Sequence, residues 1–406
     1  MNEKSKEPVI RFKGFCDEWE EKKLGEVVDV YDGVHQTPDY TDSGIMFLSV
    51  ENINTLKSEK YISEEAFKRD YKVYPEKGDV LMTRIGDVGT PNVVETSEKI
   101  AFYVSLALLK PKKIDSYFLC NNILSPFFKM GLKERTLLTA IPQKINKDEI
   151  GKVNLIMPKS LSEQQKIGSY FRQLDHLITL YQRKYNKLTS VKKSMLQKMF
   201  PASGQTVPAL RFAGFTDKWE VRKLSSMVSL ITKGTTPLDK SGTGNINFVK
   251  IENIDNSSGE INITQTISEA EHNGYLRRSQ LKEGDILFSI AGTLGRVTCV
   301  KANILPANTN QALAIIRLKE GNLDYILTYL KGKSVSDFIK RNPTVGAQPN
   351  LSLEQVNNLE IALPSLSEQQ KIGSYFRQLD HLIALHQQEL QKLQNLKKAC
   401  LKKMFV

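Results

Sequence analysis

No segment of this chain is long and apolar enough to span a bilayer. Its longest apolar run, Ile100 to Leu109, is about half of the roughly 20 residues that a crossing helix requires. The N-terminus, MNEKSKEP, is polar from its first residue, so neither a signal peptide nor a membrane span is expected and a cytoplasmic location follows by default. Cysteine is scarce: there are 4, at Cys16, Cys120, Cys299 and Cys400, far apart and with no CxxC spacing, which leaves no sequence case for a disulfide framework or a zinc site. Glycine-rich phosphate loops of the GxGxxG or Walker-A type are missing, as is the Asn/Asp-Pro-Pro-aromatic motif of adenosylmethionine-dependent adenine methylation. His35, His176, His272, His381 and His386 show neither HExxH nor i,i+4 metal spacing. One nuclease-like pattern exists, Pro38-Asp39 with Asp70-Tyr71-Lys72, since two carboxylates and a lysine can hold a metal and activate water. It is too degenerate to carry an assignment, and the only counterpart later in the chain is Pro237-Leu238. No catalytic residue, resident cofactor or metal is expected on this chain.

Apolar residues make up 40% of the 406, with 17 Phe and 14 Tyr, enough to build true cores in two or three domains. The most informative feature is internal repetition. Ser160 to Ile178, SLSEQQKIGSYFRQLDHLI, recurs unchanged as Ser365 to Ile383, and both copies run through a basic segment to Lys-Met-Phe at Phe200 and Phe405. The entrance to each half repeats too: Pro8 to Leu24 and Pro208 to Leu224 share ten of seventeen positions. Between these ends the likeness is faint but ordered, with FLSVENIN (Phe47 to Asn54) answering FVKIENID (Phe248 to Asp255) and GDVLMTRIGDVG (Gly78 to Gly89) answering GDILFSIAGTLG (Gly284 to Gly295).

Short runs rich in β-branched and aromatic residues predict strands at Val27–Tyr31, Ile45–Ile53, Val80–Ile85 and Phe102–Lys110. Helical stretches are expected at Tyr117–Leu132 and Tyr325–Ile339. Then comes a four-three apolar spacing, Ile167, Phe171, Leu174, Ile178, Tyr181, Tyr185, Leu188, Met195, Met199, repeated as Ile372, Phe376, Leu379, Ile383, His386, Leu390, Leu393, Cys400, Met404. Lys192 and Lys397 interrupt the two stripes at the same place. Ser162 and Ser367, each followed by a glutamate, are the expected helix starts. At 1.5 Å per residue, helices of roughly 40 residues reach about 60 Å, too long to lie wholly against domains of about 150 residues. Ile167, Phe171, Leu174 and Ile178 are therefore expected to pair with Ile372, Phe376, Leu379 and Ile383, the two stripes burying each other.

The expected fold class is α+β: two mixed α/β globular domains separated by two long helices in an antiparallel coiled coil, with an internal pseudo-two-fold repeat. The expected divisions are residues 1–158 (first globular domain), 159–200 (first long helix), 201–208 (linker), 209–364 (second globular domain) and 365–406 (second long helix).

With 57 Lys+Arg against 45 Asp+Glu, the formal charge is +12. A net excess distinguishes no partner by itself, but its placement does more. Arg183, Lys184, Lys187, Lys192, Lys193 and Lys198 crowd the end of the first helix, and Lys397, Lys398, Lys402 and Lys403 the end of the second. Polar side chains able to donate and accept cluster where the strands turn, and these are the candidate DNA contacts. In the first half they are His35, Gln36, Thr37, Thr83, Arg84, Gln143 and Lys144; in the second, Lys233, Thr235, Thr236, Lys250, Asn253, Arg296, Thr309, Asn310, Gln311, Gln348 and Asn350.

Taken together, the Pro-x-Ser-Leu-Ser-Glu-Gln-Gln-Lys-Ile entry to the first long helix (Pro158 to Ile167), its one-residue-shorter copy (Pro364 to Ile372), the Gly-Phe-x-Asp-x-Trp-Glu blocks at Gly14 and Gly214, and the Gly-Asp-Val/Ile-Leu segments make nearly the whole chain resemble one family. That family is the DNA specificity subunit of type I restriction-modification systems. The resemblance implies two target recognition domains, each reading one half of a split, asymmetric sequence in double-stranded DNA, held apart by the long helices. It also implies partners: two methyltransferase subunits that carry S-adenosylmethionine and methylate a flipped adenine, and restriction/translocase subunits that use ATP and Mg2+ to cleave unmodified DNA. A stand-alone metal-dependent nuclease using Asp39 and Asp70, and a coiled-coil adaptor binding only proteins, are the alternatives.

Overall fold

The structure, a computed structural model, describes every residue except 1–6, 203, 240, 256–258, 343–348 and 406. It divides into two compact units, Met1–Tyr181 with Glu389–Val406, and Gln182–Gln388.

In the first unit, a four-stranded antiparallel sheet runs in the order Val28–Asp32, Leu106–Pro111, Val80–Thr83, Pro91–Val93. A three-stranded sheet places Ile45–Leu48 between Tyr61–Ile62 and, in parallel, Ile100–Phe102. The ribbon of Glu20–Lys23 with Asn154–Met157 closes the unit. Val80, Met82, Ala107 and Leu109 face one core, with Trp19, Phe118 and Phe128, whereas Leu81, Leu106 and Leu108 face another, with Phe47 and Phe102. Because both faces of the sheet are covered, its central strands read as unbroken apolar runs and not as alternating ones.

The second unit repeats this plan strand for strand. Its sheets run Val228–Lys233, Leu313–Leu318, Ile286–Ser289, Val297–Cys299, and Thr266–Ile267, Ile246–Val249, Ala307–Thr309, with the ribbon Glu220–Lys223 against Glu360–Leu363. The faint central likeness is thus a shared topology.

Local chemistry corrects several expected boundaries. The Phe102–Lys110 strand is two, Ile100–Phe102 and Leu106–Pro111, because the chain passes from one sheet to the other through a turn in which Leu106 N–H donates to Tyr103 O. The Ile45 strand stops at Leu48, where Asn52 Oδ1 takes the Ser49 N–H and starts a 3-10 turn. The Tyr117–Leu132 helix is two, Ser116–Ile123 and Pro126–Arg135: Ser125 Oγ caps Phe128 N–H, and Pro126 supplies no N–H to continue the earlier ladder. Gly332 likewise divides the second unit's helices Leu323–Leu330 and Lys333–Arg341. A further helix, Glu64–Asp70, capped by Ser63, lies between the strands Tyr61–Ile62 and Val80–Thr83.

The long helices are Leu161–Lys198 and Leu366–Lys403. Each begins two residues earlier than the serines expected to start it, on Ser160 and Ser365, whose Oγ atoms accept from the N–H of Glu163 and Glu368 at 3.4 Å. Those glutamates do more than face a helix end. Buried Glu163 holds Arg11 through both oxygens (2.7 and 2.8 Å), with the Trp19 indole N–H at 3.4 Å, and Glu368 holds Arg211 in the same fork (2.9 and 2.7 Å). The next residue, Gln164, accepts from Asp115 N–H and donates to Pro158 O; Gln369 does the same with Asn322 and Pro364. At Gly168 a Cβ would stand 2.5 Å from Asp115 Oδ1, and at Gly373 2.6 Å from Asn322 Oδ1, so the long helix can touch its short neighbour only where a side chain is missing. The repeated SEQQKIG motif is a clamp.

The apolar stripes have two kinds of partner. Ile167 and Phe171 sink into the first unit's core, and Ile372, Phe376 and Leu379 into the second's, so the opening turns pack on their own globular layers. They also meet the far end of the other helix. In the first unit Phe405 lies 5.5 Å from Phe118, 5.7 Å from Phe171 and 6.5 Å from Trp19. In the second, Phe200 lies 5.6 Å from Tyr325, 5.8 Å from Phe376 and 6.3 Å from Trp219. Within each unit the helical segments run antiparallel: Asp175 and Tyr170 meet Lys397 and Cys400, and Lys192 meets Asp380. The lysines that interrupt the stripes therefore each pair with an aspartate on the opposite helix.

Phe405 is 5% exposed within this aromatic cluster. We expect Phe405→Ala to destabilise the first unit by about 3–5 kcal/mol, through lost burial and the cavity left behind. Urea denaturation followed by tryptophan fluorescence reads this directly; a loss under about 1 kcal/mol would mean that the phenylalanine does not complete the core.

Candidate DNA-reading surface

The candidate residues of the first unit gather where Val28–Asp32 ends. Gly33 is pressed against the next sheet, with a hypothetical Cβ 2.3 Å from Phe102 O, which fixes the start of the loop carrying His35, Gln36 and Thr37. All three are exposed. Beside them, Arg84 is buried, its guanidinium paired with Asp32 and donating from Nε to Ile145 O at 3.1 Å. Its own N–H and C=O bond Ser105 O and Ile145 N–H. Arg84 therefore bolts together the His35 loop, the turn after Val80–Thr83 and the segment through Gln143 and Lys144. Gln143 exchanges two bonds with Gly86: Gly86 N–H donates to Gln143 O at 2.8 Å, and Gln143 Nε2 donates to Gly86 O at 3.0 Å. Thr83 is wholly buried, its Oγ accepting from Thr90 N–H. The surface offered to a partner thus comprises His35, Gln36, Thr37, Gln143 and Lys144, whereas Thr83 and Arg84 stand behind it.

The second unit builds the same place with different residues. Gly234 is pinned against Thr309 O, with a Cβ distance of 2.0 Å, and starts the loop of Thr235 and Thr236. Thr236 bonds Gln311, and Thr235 Oγ accepts from Arg278 Nε at 3.1 Å. Lys233, Thr236, Gln311 and Asn350 are exposed, and Thr235, Lys250 and Asn310 half-buried. Asn310 Oδ1 accepts from Ala312 N–H at 3.2 Å. Three candidates serve the interior: Thr309 donates to Val249 O, Asn253 caps a turn through Lys250 N–H, and Arg296 Nη1 reaches Ile251 O and Ile254 O at 3.2 and 3.3 Å. Buried at 0% and 2% exposure, Thr309 and Asn253 cannot present their polar atoms to a base edge. Gln348 lies outside the described residues. Where the first unit has Asp32 and Arg84, the positions before Gly234 and after Ser289 carry Lys233 and Ile290.

Sequence reasoning missed Arg278 and its exposed neighbour Arg277, which a basic pair between two turn signals could have revealed. The nuclease-like pair finds no support in the geometry. Both Asp70 oxygens accept from Arg69, at 2.8 Å each, and among the described residues no group of three or more His, Cys, Asp or Glu is placed to hold a metal ion. The four cysteines are free, and burial pushes the Cys120 thiol up to about 12, away from nucleophilic use. No helix among the described residues is long and apolar enough to cross a membrane.

Two units of one topology, with polar loops gathered at the same strand ends, are matched twice by the family model for the type I restriction modification DNA specificity domain, over residues 16–190 and 216–395. The chain belongs to this family. Among specificity-subunit relatives, the type I restriction enzyme MjaVIII specificity subunit of Methanocaldococcus jannaschii is 25% identical over 281 residues, a match covering 66% of this chain and 64% of that protein's length. A second protein of that organism, provisionally named type I restriction enzyme MjaX specificity subunit, is 23% identical over 411 residues, covering 94% of this chain and 91% of its own. In structure, the chain is similar to the S subunit of the type I restriction-modification system from M. genitalium, with a TM-score of 0.66 over 98% of this chain and 99% of that one, at 14% identity. At so low an identity the likeness speaks for the fold alone.

If Arg84 fastens the specificity-domain loops of the first unit, Arg84→Ala should loosen them. We expect amide exchange at Gly86 and Leu137 to accelerate by on the order of tenfold, the loss of one or two buried bonds to a charged group, while Leu351 in the second unit is unaffected. Unchanged protection at Gly86 and Leu137 would show that the loops are held without it.

Proposed function

We propose that this chain is the sequence-specific DNA-binding specificity subunit of a type I restriction-modification complex. Each unit reads one half of a bipartite, asymmetric target, and the chain itself performs no chemistry. One observation carries the reading: the two units share strand order, clamp and aromatic plug, yet the loops that follow the matching glycines Gly33 and Gly234 carry unlike side chains, exposed His35, Gln36 and Thr37 in one and Thr235 and exposed Thr236 in the other. Identical heads would select identical half-sites; unlike heads on one scaffold select different ones. Exposed Gln, Asn, Arg and Lys can make directional bonds to base edges, while the remaining lysines bind phosphate without sequence information. Adenine methylation and cleavage then fall to partner methyltransferase and restriction subunits, which bring S-adenosylmethionine, ATP and Mg2+, and the cytoplasm is where such a complex would meet its DNA.

The reading is tested by exchanging residues 25–155 for the corresponding segment of a relative and mapping methylated adenines in cells that also carry the partner methyltransferase. One half-site should change and the other persist; alteration of both, or of neither, would defeat the modular assignment. Binding should also weaken steeply with salt, with log K falling by about 0.9 per phosphate contact for each tenfold rise. A salt-insensitive complex would instead favour an adaptor that binds only proteins.

A further inference from the structure

Near the first unit's reading surface stands a short hairpin with an apolar tip. Its base is tied by Leu137 N–H donating to Lys144 O at 2.8 Å and by bridge pairing of Lys144 with both Leu137 and Ile85. The two bonds between Gln143 and Gly86 fix the same end to the turn behind it. A third backbone bond, Ala140 N–H to Leu137 O at 3.3 Å, shapes the tip. On this framework Ile141 is 100% exposed, Leu138 57% and Leu137 45%. The backbone bonds hold these side chains away from the body of the unit, so in this conformation only something outside the chain can cover them.

The surroundings say what that is. Lys144, at the base of the hairpin, is exposed, as are Lys133 with Glu134 and Lys147 with Asp148 on either side of it in sequence, and Gln143, whose Nε2 donates to Gly86 O, follows Ile141 by two residues. An aliphatic tip on a hairpin whose base carries an exposed lysine suits the edge of a base pair beneath a phosphate better than an apolar protein surface, which would leave the Lys144 ammonium to be desolvated. The one aliphatic group on a base edge in the major groove is the thymine 5-methyl.

We propose that Ile141 reads a thymine by packing on its 5-methyl group within the half-site recognised by the first unit. This rests on the DNA-reading function proposed above and adds to it a named base feature and a named residue. Leu138 buttresses the contact, and Lys144 neutralises a neighbouring phosphate.

The test uses the full chain assembled with its methyltransferase partner. Once mapping of methylated adenines gives the target, each thymine of the first half-site is replaced in turn by deoxyuridine, which removes only the methyl group. At one position this should weaken binding about three- to tenfold, the scale of one methyl-sized apolar contact. Ile141→Ala should abolish the difference between thymine and uracil there, and Ile141→Val should keep most of it. Because the side chain touches nothing in the free chain, both variants should retain wild-type thermal stability and wild-type preference at the second half-site. The proposal is overturned if no thymine in the first half-site is sensitive, or if Ile141→Ala loses as much on uracil as the wild type does. Failure of the wild-type complex to prefer any sequence would instead sink the DNA-reading function itself.

Discussion

The structure depends on one exchange of hydrophobic side chains. Each globular layer gathers aromatics around its tryptophan, and in both cases the ring that completes the cluster is the phenylalanine two residues beyond the end of the long helix that began in the other half of the sequence: Phe405 for Trp19, Phe118 and Phe171, and Phe200 for Trp219, Tyr325 and Phe376. Neither half can therefore complete its core from contiguous sequence. Full burial of a phenylalanine contributes about 1.5–3 kcal/mol, a large fraction of a marginal stability of about 5–15 kcal/mol. The forked Arg11–Glu163 and Arg211–Glu368 pairs then fix where each helix leaves its unit, since an arginine fork on a buried carboxylate tolerates little rotation.

This explains which parts of the fold were legible in the sequence. Repetition announced the duplication, and the four-three spacing announced the helices, because both are patterns carried by the identities of residues. The cores at the helix ends were not legible. A stripe shows that a face is buried but not by what, and Ile167 and Phe171 serve their own unit and the opposite helix at once. The start of each helix was misplaced by two residues for a related reason: Ser160 and Ser162 are equally good caps in isolation, and only the demands of Arg11 on Glu163 choose the frame. Helices expected as continuous stretches at Tyr117 and Tyr325 break at Ser125 and Gly332, signals that were present but outweighed by apolar periodicity on either side.

For the candidate surface, sequence patterning marks strand ends more readily than it marks which of their side chains are exposed. Polar residues at strand ends do gather there, yet Thr83, Arg84, Asn253 and Thr309 turn inward. A buried backbone group left without a partner costs about as much as a lost hydrogen bond. Loops packed as closely as those at Gly33 and Gly234 leave such groups near the interior, and nearby Thr, Asn and Arg side chains are recruited to satisfy them. The same types of side chain suit a base edge, so composition alone cannot separate an inward from an outward role. Exposure separates them.

That division also indicates how a single scaffold can tolerate unlike loops. Both faces of each four-stranded sheet are covered by apolar cores, so the positions that define the fold are interior and depend little on what the strand ends display. Beside the Arg84 side chain, the loops are anchored through backbone atoms, Gly86 N–H to Gln143 O in one unit and Leu351 N–H to Ile290 O in the other, and backbone bonds make no demand on side-chain identity. Arg84 can thus be replaced by an isoleucine at the matching position if the aspartate it neutralises is absent as well, and Lys233 does stand in the matching place. A charged bolt and an apolar one fasten the same joint, and the exposed residues on either side remain free to differ. The loops can differ because the constraint that holds the fold lies elsewhere, at the clamps and plugs where the two halves of the sequence are the same.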